Sequence, residues 1–78
     1  MNNARRKEIA RCIVELTKIK HELSEIHEKE FTALTSLQEL SKEDDEERID
    51  AIDEALGYIE DTVNSVEECL DTLENADF

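Results

Sequence analysis

Residues 49–73 read IDAIDEALGYIEDTVNSVEECLDTL, and residues 9–40 read IARCIVELTKIKHELSEIHEKEFTALTSLQEL. In both stretches an apolar side chain recurs at alternating steps of three and four residues, which is the spacing of a coiled-coil seam. The later stretch predicts a seam of Ile49, Ile52, Leu56, Ile59, Val63, Val66, Leu70 and Leu73. The earlier stretch predicts a seam of Ile9, Cys12, Leu16, Ile19, Leu23, Ile26, Glu30, Ala33, Leu37 and Leu40.

The two seams match when the chain reverses near Ser41 and the helices lie antiparallel. The predicted layers pair Ile9 with Leu73, Leu16 with Val66, Ile19 with Val63 and Leu23 with Ile59. The flanking positions agree with this register, because they place Arg6 opposite Glu74, Lys20 opposite Glu60 and His27 opposite Asp53.

The sequence therefore predicts an all-α fold, an antiparallel two-helix coiled-coil hairpin that forms a single domain over residues 1–78. Helix 1 is predicted from about Asn3 to Leu40, the turn at about 41–43, and helix 2 from about Glu43 to Asn75. One glycine, no proline and 40% charged residues are typical of long helices. A chain of 78 residues buries a small core, so we expect help from a second copy or another partner.

The net charge of −13 comes entirely from the second half of the chain. Residues 1–40 carry seven basic and seven acidic residues, whereas residues 41–78 carry two basic and fifteen acidic ones. This balance disfavours direct binding of nucleic acid. No apolar run approaches the roughly 20 residues needed to span a bilayer, so we expect a cytoplasmic protein without a membrane segment.

Acidic pairs recur every seven residues along helix 2 and predict one long negative face. We call this set the acidic face: Glu46, Glu47, Asp50, Asp53, Glu54, Glu60, Asp61, Glu67 and Glu68. One interpretation is a solvated surface that keeps the protein soluble. The other is a binding surface for a basic protein, on which regular carboxylates imitate the phosphates of nucleic acid.

A second row on helix 2 has the same heptad spacing and contains no charged residue. We call it the neutral row: Ala51, Ala55, Tyr58, Thr62, Ser65, Cys69, Thr72 and Ala76. Either the row is a wider part of the core stripe, or it contacts a second copy or a partner. The second interpretation predicts a homodimer or higher oligomer, in which two hairpins form a four-helix bundle.

Two isolated residues have two interpretations each. Gly57 is either a tolerated surface glycine or a point where another backbone approaches. Glu30 either fixes the register from inside the seam or extends its carboxylate out past the seam edge.

The residues that usually carry catalysis or bind metals do not form a recognisable set. His21 and His27 are six residues apart, so they lie on different faces of one helix and are expected on the surface. Cys12 and Cys69 are expected as two reduced thiols packed as small apolar side chains, with a disulfide as the alternative. We therefore expect no enzymatic activity, no metal and no cofactor.

The basic start ARRKEIARCIVELTKIKHELSEI and the acidic, repetitive end ERIDAIDEALGYIEDTVNSVEECLDTLENA resemble small acidic helical proteins encoded by bacteriophages and prophages. Such short phage proteins include inhibitors of host defence nucleases, some of which mimic nucleic acid. The resemblance implies a protein-binding module that inhibits a host protein with a basic surface. The competing hypothesis is a structural module whose function is assembly alone.

Overall fold

The chain folds into two long helices and, in the described residues, no strand. The structure, a computed structural model, describes residues 1–40 and 45–78. Helix α1 spans Asn3–Glu39 and helix α2 spans Glu46–Asn75. The predicted turn at 41–43, the reversal near Ser41 and the predicted start of helix 2 at Glu43 lie outside the described residues.

Local sequence explains where the helices begin. The side chain of Asn2 caps α1 by accepting a hydrogen bond of 2.9 Å from the backbone N–H of Arg5. Glu46 and Glu47 occupy the first turn of α2, where their negative charge interacts favourably with the positive end of the helix dipole.

The two helices pack against each other as an antiparallel hairpin. At one end the Arg6 Nε donates a hydrogen bond of 2.8 Å to the backbone carbonyl of Phe78. Farther along, the Lys20 ammonium lies 3.4 Å from a carboxylate oxygen of Glu67. The result is a rod of 60 × 15 × 13 Å.

No helix in the described part of the chain has an apolar stretch long enough to span a membrane.

The seam predicted for helix 2 is the one that α2 uses. Leu56 and Leu70 are buried, and the other six predicted residues are half-buried. A regular stripe of this kind faces one partner helix along its whole length.

The seam predicted for helix 1 is wrong at every second position. Cys12, Ile19, Ile26, Ala33 and Leu40 are exposed, and so is Glu30. Their places are taken by Ile13, Lys20 and His27, which are half-buried, and by Leu34, which is 4% exposed. The stripe of α1 that contacts α2 therefore runs through Ile9, Ile13, Leu16, Lys20, Leu23, His27, Leu34 and Leu37.

The predicted register is also wrong. Lys20 contacts Glu67 instead of Glu60, and His27 shares a groove with Glu60 instead of lying opposite Asp53. Val63 lines the same groove beside Ser24, about five residues along α1 from its predicted partner Ile19. Arg6 reaches Phe78 rather than Glu74. Apolar residues of α1 stand on both sides of Leu16 and Leu23, so the apolar pattern fits two rotations of α1, each with its own register, and does not distinguish them.

The rotation of α1 also decides the fate of the cysteines and of Glu30. Cys12 and Cys69 are free, but both are exposed, so within a single chain the prediction that they pack as small apolar side chains is wrong. Glu30 is exposed and takes no place inside the seam. An alanine Cβ built at Gly57 would meet no atom within 4 Å, so within one chain no other backbone approaches this residue.

The position of Leu34 in the seam can be tested by stability measurements. We expect Leu34→Ala to lower the free energy of unfolding by about 2 kcal/mol or more, because the side chain is almost fully buried. Val14→Ala is the control, since Val14 is 68% exposed, and we expect a change within about 0.5 kcal/mol. Thermal or urea unfolding at equal chain concentration measures both; equal effects of the two changes would contradict the observed rotation of α1.

Gly57 gives a second test. Gly57→Ala is expected to stabilise the protein by about 1 kcal/mol, because alanine favours a helix interior and the new methyl group meets open space. The mirror change Ala55→Gly, two residues away on α2, is expected to destabilise by a similar amount in the same unfolding assay. Loss of stability in Gly57→Ala would instead show that another backbone lies against this position.

Candidate functional site

All nine residues of the acidic face are exposed. Its dyads recur every seven residues on one helix, so at a rise of 1.5 Å per residue they are spaced about 10 Å apart. From Glu46 to Glu68 the face extends over about 33 Å of helix. These residues therefore display carboxylates at regular intervals along one side of a single helix.

Few groups on the protein neutralise this face. Within residues 1–40 and 45–78, Glu67 is the one member of the set with an ion pair, and both partners remain partly exposed to solvent. Glu54 accepts a hydrogen bond of 2.8 Å from the hydroxyl of Tyr58, which leaves the negative charge in place. Partly exposed pairs such as Lys20–Glu67 contribute about 0–1 kcal/mol to stability. Most of the charge is therefore available to a partner.

The eight residues of the neutral row are exposed as well. The hairpin does not bury them, so they are not a wider part of the stripe between α1 and α2. Tyr58, the largest, is 63% exposed. The row lies on α2 between the apolar stripe and the acidic residues at the outer side of the helix.

The hydroxyl groups of the neutral row are already satisfied within α2. Thr62, Ser65 and Thr72 each donate a hydrogen bond to the backbone carbonyl four residues earlier, at 2.8, 2.9 and 3.0 Å respectively. A hydroxyl with a partner in its own helix can be covered by another protein without losing a hydrogen bond. The row is thus uncharged, and few of its polar groups lack a hydrogen-bond partner.

The sequence prediction missed a surface on α1 because it assigned these residues to the seam. We call them the α1 apolar row: Cys12, Ile19, Ile26, Ala33 and Leu40. Ile19 is 46%, Ile26 48% and Leu40 79% exposed. Their exact seven-residue spacing is visible in the sequence, but spacing alone does not tell a buried row from an exposed one.

The histidines are not brought together. His21 is exposed, as predicted, but the predicted surface position is wrong for His27, which is half-buried with its ring stacked on Phe31 at a centroid distance of 6.4 Å. No cluster of three or more metal-binding side chains occurs among the described residues.

The remaining basic residues near the N-terminus are exposed on α1. Arg11 pairs with Glu15 at 3.1 Å on the same helix. Arg6 is held by the carbonyl of Phe78.

The geometry of the molecule therefore offers three extended surfaces on which a macromolecule could lie: the acidic face, the neutral row and the α1 apolar row.

Comparison of the chain with models of known protein families, with characterised proteins and with solved structures finds no match.

Proposed function

We propose that this protein is a non-enzymatic protein-binding module that inhibits a host protein by covering a basic surface with its acidic face. The observation that carries the proposal is the exposure of all nine carboxylates on one helix, with a single ion pair to a cation in the described chain. The protein is proposed to be encoded by a phage and to act in the bacterial cytoplasm.

The linear density of charge supports a target that normally binds nucleic acid. Helix α2 has eleven carboxylates in 30 residues, which is one for about every 4 Å of helix. One strand of a DNA duplex has a phosphate about every 3.4 Å, and the duplex has one about every 1.7 Å. A single α2 therefore approaches the charge density of one strand.

Rigidity adds to the effect of charge. The carboxylates are fixed on a helix that is supported along its length by α1, so little conformational entropy is lost when they bind. A negative surface of this kind also accelerates association with a positive cleft, and the acceleration decreases with salt.

We further propose that two hairpins associate into a four-helix bundle. The isolated hairpin buries only three apolar side chains in the described residues, Leu34, Leu56 and Leu70. Such a core is small for an independently stable fold. The second candidate function follows from the same observation: a structural module in which association itself is the function and the acidic residues only face solvent.

Neutralising the acidic face separates the two functions. The test variant is Asp53→Asn, Glu54→Gln, Glu60→Gln and Asp61→Asn, which keeps side-chain shape and removes four charges. The control removes four exposed charges from α1, with Glu15, Glu22, Glu25 and Glu28 each changed to Gln. Net charge is therefore equal in the two variants, and only the position of the lost charge differs.

We expect the unmodified protein to capture a host protein from bacterial lysate, and added duplex DNA to compete with it. The α2 variant is expected to bind that protein at least about tenfold more weakly, with a smaller dependence on salt, since several charge contacts are lost. The α1 control is expected to bind within a few-fold of the unmodified protein. Equal binding by all three proteins across a salt series would eliminate the acidic-face proposal and favour the assembly function.

A further inference from the structure

We infer that a second copy of this chain docks on one particular side of the hairpin, where the α1 apolar row and part of the neutral row lie together. The inference rests on the homodimer proposed above and identifies its surface. To the proposed homodimer surface the inference adds five residues of the α1 apolar row, which do not belong to the neutral row.

The grooves between the helices establish which flanks share a side. Thr17 and Lys20 line one groove with Glu67 and Glu74, and Ser24 and His27 line another with Glu60. One flank of α1 and the acidic flank of α2 therefore lie on the same side of the hairpin. Each helix has two flanks beside its seam, so the other flanks meet on the opposite side.

On that opposite side the flanking positions carry no charge from Cys12 to Leu40 and from Ala55 to Ala76, and the exposed cations Arg5 and Arg48 begin the two rows. The α1 flank consists of Cys12, Ile19, Ile26 and Ala33, each one residue before a seam position, and Leu40 follows just beyond the end of the helix. The α2 flank consists of Ala55, Thr62 and Cys69, each one residue before a seam position, and Ala76 follows just beyond the end of the helix. We call these nine residues the uncharged side. All nine are exposed.

Charge favours a second copy on this side over any other. Each chain has a net charge of −13, so two copies repel each other wherever their acidic faces approach. The uncharged side is turned away from Glu60 and Glu67, which lie across the seam. Association through this side keeps the two acidic faces apart and open to solvent.

The amount of exposed surface fits an interface of ordinary size. The chain exposes 6304 Å², whereas a globular monomer of its mass exposes about 4,900 Å². The difference, about 1,400 Å² over the whole rod, leaves room for the roughly 800 Å² that each partner buries in a standard interface. The small residues of α2 permit close approach of another helix, and the isoleucines of α1 supply apolar area to cover.

Oligomeric mass, measured by light scattering on the full chain, tests the inference. The test variant is Ile19→Lys with Ile26→Lys. The control is Val14→Lys with Phe31→Lys, which makes the same change of charge at side chains that are 68% and 56% exposed on other faces of α1. We expect the unmodified protein and the control to have the mass of two chains. We expect the test variant to have the mass of one chain. A one-chain mass for the unmodified protein, or a two-chain mass for the test variant, overturns the inference.

The native thiols provide a second measurement that does not depend on whether a variant folds. In a single hairpin Cys12 and Cys69 are exposed, so a thiol reagent reaches both. A second copy on the uncharged side covers them, and we expect labelling at least about tenfold slower in the native protein than in the denatured chain. Equally fast labelling in the two states would contradict the inference. Target capture is a separate assay, so a dimer that captures nothing refutes only the acidic-face proposal, and a monomer that captures its target refutes only this one.

Discussion

The packing of one apolar stripe of α2 against α1 is the interaction on which the rest of the molecule depends. The rod is 15 by 13 Å in cross-section, so the seam is about one side chain thick and has no interior in which a second layer could pack. Leu56 and Leu70 reach burial because they project directly at the partner helix. The rotation of each helix at this seam determines which residues lie on every other surface.

The rotation of α1 about its own axis is not the one that would bury the most apolar area in an isolated hairpin. Lys20 and His27 occupy half-buried seam positions, while Ile19 and Ile26 remain about half exposed. Fully burying an isoleucine is worth about 1.5–3 kcal/mol, so each leaves roughly 1 kcal/mol unrealised in the single chain. In return Lys20 reaches Glu67, and Ile13 and Leu34 enter the seam. This rotation of α1 is energetically favourable if a neighbouring molecule covers the two isoleucines.

The difference between the two helices explains how much could be predicted from the sequence. On α2 the stripe is bounded by acids such as Glu60 on one flank and by small residues such as Thr62 on the other, so only one rotation buries the large apolar side chains. On α1 apolar residues stand on both sides of Leu16 and Leu23, with Ile19 on one and Ile13 on the other. Two rotations are then nearly equal in apolar area, and periodicity does not choose between them. The exposure of the acidic face follows from its charge, whereas the α1 apolar row is recognisable only when the rotation is known.

The placement of the whole acidic face on α2 has a consequence for the geometry of binding. Two hairpins related by a two-fold axis through the uncharged side would carry two identical acidic faces on the outside of one rigid body. Such an assembly is bivalent: after one face has bound, the second is held near any neighbouring site at a high effective concentration. A target that is itself a symmetric dimer, or that lies in an array, would then be held far more tightly than a monomeric one, although each individual contact stays weak.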